Sequence, residues 1–282
     1  MNHRIKTLVF QSLDKMPRRV GNQIYHLLQK INAKSIEEEY EFQQKTIQKF
    51  INELNRHKFE IAGKKIVEIG SGWLPALPYD LVFQYGAKEV LTFDINQHFQ
   101  TSTIRKFNAL YKSQFQDLGL PKDKLPDPVK YYPNVNVLDQ RLEKGSIDGL
   151  VTRNVLEHID SIDLELIHKQ AFAYLKPDAF IIHQISPSDH RAYTDKSLSL
   201  WDFLQYSKEE WNGIQTRFDY HNRLRMPEYI DLFQRCDFNV NFLSFKSARN
   251  GQKLPQKIHA DFQKFTEEEL TAGSIIVILT RK

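Results

Sequence analysis

The stretch VEIGSGWLP, residues 67–75, holds residues well suited to gripping a ligand. Gly70 and Gly72 allow the backbone to turn sharply and admit a ligand where a Cβ would collide. The stretch follows a β-branched run and precedes a helical pattern, so it lies where a strand hands over to a helix, a common seat for a nucleotide-type cofactor. A dinucleotide fingerprint, G-x-G-x-x-G/A, needs a third small residue for close helix packing and pyrophosphate contact. Pro75 takes that place, after Trp73 and Leu74. This argues against a bound pyrophosphate and against an NAD-dependent oxidoreductase. The next carboxylate, Asp94 in LTFDIN, ends a second β-branched run and can accept from both hydroxyls of a ribose. Plainer alternatives stand beside these: the glycines serve a tight turn only, Asp94 is a helix N-cap, and Trp73 packs against the following helix.

A second group of residues points to substrate chemistry. HQISPSDHRAY, residues 183–193, carries Asp189 and His190 out of a strand. An imidazole with an ordinary pKa of about 6.5 suits a general base near neutrality. His190, with Asp189 beside it, is therefore the catalytic candidate; a substrate-binding or plain loop role is the alternative. HNRLR supplies His221, Asn222, Arg223 and Arg225, with Arg191 and Arg217 nearby in sequence. Alternating arginines on an extended segment face one side, where planar forks grip a carboxylate or phosphate. The alternative is a structural salt bridge to the acids of SKEEW. The lone Cys236 excludes an intramolecular disulfide and a Cys-clustered zinc or iron–sulfur site, and no metal site is expected.

The elements that position these residues follow from hydrophobic period. Residues 1–60 read as a helical preface, with Ser35 and Glu38 spaced as a capping box. From residue 61 onward, short β-branched runs alternate with helical segments: KKIVEIG, EVLTFDI, VKYYPNVNV, IDGLVTRNV, AFIIHQIS, FNVNFLSF and GSIIVILTR. Strands interleaved with helices mean a parallel-dominated α/β sheet covered on both faces. Residues 187–236 interrupt this rhythm as an insertion over the cleft, with WDFLQYSKEEW and MPEYIDLFQRC as helices. The proline- and lysine-rich stretch 119–130 reads as a surface loop.

The order Glu-x-Gly-x-Gly, then Asp94, then IDGLVTRNVLEH resembles the class I S-adenosylmethionine-dependent methyltransferases over residues 61–282. The resemblance implies a Rossmann-like, doubly wound sheet of seven strands, mostly parallel with the last reversed, behind an N-terminal helical cap. It implies that Glu68 lies near the methionine moiety, that Gly70, Ser71 and Gly72 pass beneath the cofactor, that Asp94 binds the ribose diol and that Ile95 lies against the adenine. Asn136, counted to the end of the third strand, would meet the adenine amino group, with Asp139 as the alternative. Asn154 and His158 follow the fourth strand beside the sulfonium, His158 supporting the site on the substrate side. HNRLR also resembles segments of bacterial methyltransferases of saccharide or secondary-metabolite pathways. The activity so implied is methyl transfer from S-adenosylmethionine to an oxygen or nitrogen of a small acidic metabolite or sugar. The rival in another class is a methyltransferase-like module that binds and turns nothing over.

Composition sets the bounds. Lys and Arg number 39 against 35 Asp and Glu, a formal charge of +4, and apolar residues make up 41% of the 282. Such a chain can bury a sizeable core and presents no dense basic field, and its aromatics are not interleaved with a basic stretch, so nucleic acid is not expected as a partner. An N-P-P-Y-type tetrad is also missing, which weakens a DNA-base or protein-glutamine substrate. No run approaches the roughly 18 apolar residues of a membrane span, and the N-terminus lacks a cleavage pattern. A cytoplasmic enzyme with a small-molecule partner, an anion among the candidates, is the expectation. The basic N-terminal segments RIKTLVF and KMPRRV leave three readings open: a lid, a homodimer contact or a membrane-surface contact.

Overall fold

The computed structural model describes residues 3–31, 35–115, 118–247 and 253–282. Three helices come first: α1 (His3–Asp14), α2 (Arg18–Ile31) and α3 (Ile36–Arg56). Ser35 caps α3 by accepting from the Glu38 amide, and the Glu38 carboxylate accepts from the Ser35 amide in return. The buried stripe of α3, Tyr40, Ile47, Phe50, Ile51 and Leu54, packs into the same core as Ile66, Leu77 and Val90, so α3 is built into the α/β body. Its Tyr40 hydroxyl donates to the buried Asp80 carboxylate at 2.8 Å, and the Tyr111 hydroxyl and Gln84 amide do the same at 3.0 and 2.7 Å.

The seven strands fall where the β-branched runs place them: β1 (Lys65–Ile69), β2 (Glu89–Asp94), β3 (Val129–Pro133), β4 (Ile147–Arg153), β5 (Leu175–Ile185), β6 (Phe238–Lys246) and β7 (Gly273–Arg281). They form one sheet in the order β3-β2-β1-β4-β5-β7-β6. Only β7 runs antiparallel, against both β5 and β6. β1 and β4 are buried nearly throughout because helices cover both faces, whereas the edge strand β3 alternates in exposure. The chain order reverses between β1 and β4, and ligands of open α/β sheets bind beyond the C-terminal strand ends at such a switch point.

The remaining helices are α4 (Ala76–Tyr79), which runs into a π-helical turn at Asp80–Gln84, then α5 (Thr101–Phe115), α6 (Ser161–Tyr174), α7 (Arg191–Thr194), α8 (Lys208–Ile214), α9 (Met226–Arg235) and α10 (Glu267–Thr271). WDFLQYSKEEW divides into a 3-10 turn and α8, because Ser207 starts a new capping box with Glu210 between them. The 187–236 segment and the β6–β7 connection share a small core of Trp201, Phe203, Leu204, Trp211, Phe262 and Leu270. The first two helices pack on that segment: Arg217 donates to the Asp14 carbonyl and carboxylate at 2.7 and 2.9 Å, and Phe218 stacks on Tyr25. The side chains of Arg4, Arg18 and Arg19, on which a membrane-surface contact would draw, lie outside the described residues. Among the described residues no helix is long and apolar enough to cross a membrane.

Candidate functional site

The loop after β1 is pinned to the end of β2. The Gly70 amide donates to the Phe93 carbonyl at 2.8 Å, and the Asp94 carboxylate accepts from the Ser71 amide and hydroxyl at 2.9 and 3.1 Å and from the Asn96 amide at 2.8 Å. A carboxylate offers about four acceptor positions, so these bonds orient Asp94 and leave capacity for a ligand hydroxyl. Gly70 has φ of +86°, and a Cβ there would meet Val155 Cγ2 at 2.2 Å; glycine is demanded by conformation and by packing against the loop after β4. Gly72, with φ of +62°, faces open space instead, as a loop beneath a ligand should. Ile95 is 69% exposed beside Asp94, a bare apolar face at a strand end. Trp73 departs from the expected packing on the following helix: its ring lies half-exposed against His98, 4.5 Å between centroids.

Glu68 is buried beneath this loop and accepts a short hydrogen bond from the Thr92 hydroxyl. Burial pushes its carboxyl up to about 8; Thr92 and the Arg153 guanidinium pull the other way. A cationic group brought alongside would favour the ionised form. Asn154, with φ of +54°, turns the chain out of β4, and its amide donates to Gln184 of β5. Asn136 departs from its expected place. β3 stops at Pro133, and the Asn136 side-chain oxygen caps the turn Val137–Asp139 by accepting from the Leu138 amide at 3.0 Å. One further lone pair on that oxygen remains for an amine.

The substrate-side residues divide into those that meet and those already committed. Asp189 is not available to a reaction: it is buried, and Arg191 binds both its oxygens, Nε at 3.0 and 3.1 Å and Nη2 at 2.6 Å. Arg223 donates to the carbonyls of Phe203, Tyr206 and Ser207. Arg225 is fully buried and donates to the carbonyls of Arg223, Leu270 and Pro187. Backbone carbonyls, not the acids of SKEEW and not an incoming anion, therefore occupy the two forks. Asn222 is likewise spent: its amide nitrogen donates to Leu156 and Ile159, and its oxygen accepts from the Leu224 amide and the Tyr229 hydroxyl. The expected anion grip of HNRLR is a tether that binds the 187–236 segment to the loop after β4.

Three histidines converge at that tether. The His158, His190 and His221 rings lie 4.1–5.0 Å apart by centroid, all edge to face. Burial, with the His158 ring and the Lys6 ammonium nearby, presses His190 down to about 3, and burial holds His221 well below the usual imidazole range. A neutral ring that resists protonation so strongly would be a poor lone general base near neutrality, which weighs against the base role expected of His190. The convergence escaped sequence reasoning because the three residues come from three separate segments.

No family model and no curated protein matches the chain. It is similar to magnesium protoporphyrin IX methyltransferase from Synechocystis PCC 6803, a structure with bound SAH, at 13% identity over 98% of this chain and 99% of that one, TM-score 0.51. The fold is that of the class I methyltransferases. A SAM-dependent methyltransferase from Methanosarcina mazei is 19% identical over 81% of this chain and 96% of that one, TM-score 0.49. Geranyl diphosphate C-methyltransferase from Streptomyces coelicolor A3(2), in complex with Mg2+, geranyl diphosphate and S-adenosyl-L-homocysteine, is 13% identical over 85% of this chain and 81% of that one, TM-score 0.49. Within the class I methyltransferase fold, the loop at Gly70, the β2 end at Asp94 and the β4 end at Asn154 all sit at the switch-point edge of the sheet.

Proposed function

We propose that this chain is an S-adenosylmethionine-dependent methyltransferase acting on an oxygen or nitrogen of a small molecule, in the cytoplasm. The observation that carries the reading is the clasp between Ser71 and Asp94, set against the open side of Gly72 and the bare face of Ile95. In this reading Asp94 takes the ribose hydroxyls, Ile95 lies against the adenine, Gly70 and Gly72 run beneath the cofactor, and Glu68 lies near the methionine end. Asn136 and Asn154 contribute at the adenine and the sulfonium. The cofactor supplies an electrophilic methyl group. The protein supplies alignment, since displacement at that carbon needs the nucleophile in line and positioning carries much of the acceleration. The acceptor lies on the His158 side, under residues 187–236. With Arg223 and Arg225 committed to carbonyls, an acidic acceptor loses its main support, and a neutral sugar or metabolite fits as well. Residues 1–60 belong to the same reading as a cap, through their contacts with the insertion; a homodimer through those helices is the competing proposal.

Calorimetric titration with S-adenosylhomocysteine tests it, with NADH as the contrast. Binding of the first and not the second supports the reading, because Pro75 removes the pyrophosphate seat. Folded protein that binds neither overturns it. Cofactor binding without product in a broad acceptor screen favours the non-catalytic module.

A further inference from the structure

His158 stands just beyond β4, His190 just beyond β5, and His221 between α8 and α9. One ring nitrogen from each lies within 4.8 Å of the other two. The Nδ1 protons are already placed: His158 Nδ1 donates to the Tyr220 carbonyl at 2.9 Å and His221 Nδ1 to the Asp219 carbonyl at 3.1 Å. Both rings therefore carry their proton on Nδ1 and keep the Nε2 lone pair free. His190 Nε2 and His221 Nε2 are buried without a hydrogen-bond partner, and His221 is only 7% exposed. Buried polar atoms are ordinarily paired, and three converging imidazoles, two of them with fixed tautomers, ask for an electron-pair acceptor among them.

We propose that His158, His190 and His221 form a binding site for one divalent transition-metal ion, Zn2+, held by three imidazole Nε2 atoms with a coordination position left open on the exposed side of His158. The donor set selects the class of ion: imidazole without carboxylate suits zinc and its neighbours, whereas calcium and magnesium demand oxygen. Three protein ligands and one open position make the arrangement of a working zinc site, and a closed structural site would have four. Zinc–nitrogen bonds of about 2.0–2.1 Å put tetrahedral ligands roughly 3.3 Å apart, so the rings close inward by about an ångström on binding. The supports needed to hold them are present. Backbone carbonyls orient two of the rings, Asn222 braces the loop of His158 to that of His221, and the buried Asp189–Arg191 pair fixes the turn that carries His190. Lys6 of α1 adds positive charge near His190 and His221, which favours an anionic or oxygen ligand in the open position.

The role of the ion rests on the methyltransferase reading; its binding does not. An acceptor hydroxyl coordinated there gives up its proton to solvent more readily, and its oxygen then forms the O–C bond as the S–C bond breaks and S-adenosylhomocysteine leaves with the sulfur electron pair. The test uses the full chain without an affinity tag, stripped with a chelator. Titration with Co2+ should give visible absorption bands of a low-symmetry site that saturate at one ion per chain and are bleached by one equivalent of Zn2+. Second-shell changes alone cost 10–100-fold in metal affinity, so His158→Ala, a change at an exposed ligand, should cost at least about 100-fold, as should His221→Gln. His259→Ala should leave both titrations unchanged. Absence of one-to-one binding by protein that circular dichroism shows folded, or binding that His158→Ala leaves intact, overturns the site. One-to-one metal binding with no affinity for S-adenosylhomocysteine would keep the site and remove the methyltransferase reading; the reverse would do the opposite.

Discussion

Ser71 and Asp94 make two hydrogen bonds to each other across two strand ends, from the Ser71 amide at 2.9 Å and its hydroxyl at 3.1 Å to one carboxylate oxygen. The clasp holds the acceptor group and the loop beneath a ligand in one rigid unit, so ligand affinity should be sensitive to both. Asp94→Ala removes the carboxylate to which the proposed function assigns the ribose hydroxyls and should weaken S-adenosylhomocysteine binding by about 1–3 kcal/mol, with Ser71→Ala costing about 1 kcal/mol. Calorimetry on both variants measures this. Undiminished affinity in Asp94→Ala would place the cofactor elsewhere.

The two glycines of the loop should behave differently. Gly70→Ala drives a methyl into Val155 at a left-handed φ and should lower stability by about 2–4 kcal/mol, read from denaturant midpoints. Gly72→Ala meets no neighbour, so its cost to the fold should be limited to backbone strain of about 1 kcal/mol. Its loss should appear in cofactor affinity. If Gly72→Ala binds S-adenosylhomocysteine like the parent, the cofactor does not pass over that residue.

The arginines of HNRLR should act on stability and leave substrate affinity untouched. Arg225→Met strands three buried carbonyls that now accept from one guanidinium, and the cost should be on the order of 3 kcal/mol or more. Arg225→Lys should not restore it, because a single ammonium cannot reproduce the fork. A shift in Tm with KM unchanged for the milder Arg223→Lys is the expected pattern. A raised KM with normal Tm would return Arg223 to the substrate.

A buried histidine pair away from the site sets an acid limit. The Thr152 hydroxyl donates to His183 Nδ1 at 2.8 Å, His183 Nε2 donates to His168 Nε2 at 3.0 Å, and His168 Nδ1 donates to the Leu164 carbonyl at 2.6 Å. Both rings are neutral in this arrangement, and a proton added to His168 would set its Nε2–H against that of His183. Burial presses His168 down to about 4 and His183 well below the usual range. A depressed folded-state pKa means that the unfolded chain binds more protons between about 6.5 and 4, so stability is full above 6.5 and falls as pH drops through that window, by about 3 kcal/mol for His168 alone. Asp80, raised to about 6 by burial, works in the opposite direction over part of the range. The difference between the parent and the double variant His168→Gln/His183→Gln, which keeps Asp80, isolates the pair. The fall in urea midpoint from pH 7 to pH 4.5 should be smaller in the double variant than in the parent, by the pair's contribution; an equal fall in both proteins would refute the assignment.

Much of the scaffold is local information. A β-branched run between turns pairs as a strand wherever it is buried, and all seven runs did so, with the order of elements alone requiring a covered parallel sheet. Gly70 and Gly72 announce a left-handed turn because other side chains resist one, and Asp94 announces a polar strand end. The edge strand β3 was harder to bound, since Asn134 turns the chain at a left-handed φ after Pro133 and ends a run whose alternation otherwise continues.

The sequence by itself therefore determined the sheet, the glycine turn and the acid at the end of β2, because backbone conformation and hydrophobic period are properties of a few consecutive residues. Tertiary structure alone decided what the charged and titratable groups do. Arg223 and Arg225 look the same in sequence whether their forks meet a phosphate or six carbonyl bonds, and only packing brought the carbonyls of Phe203, Pro187 and Leu270 to them. His158, His190 and His221 share no element and no period, so their meeting is legible only once β4, β5 and the insertion are folded together. The cause is physical: pairing and desolvation depend on which groups approach from distant parts of the chain, and no local pattern encodes that approach.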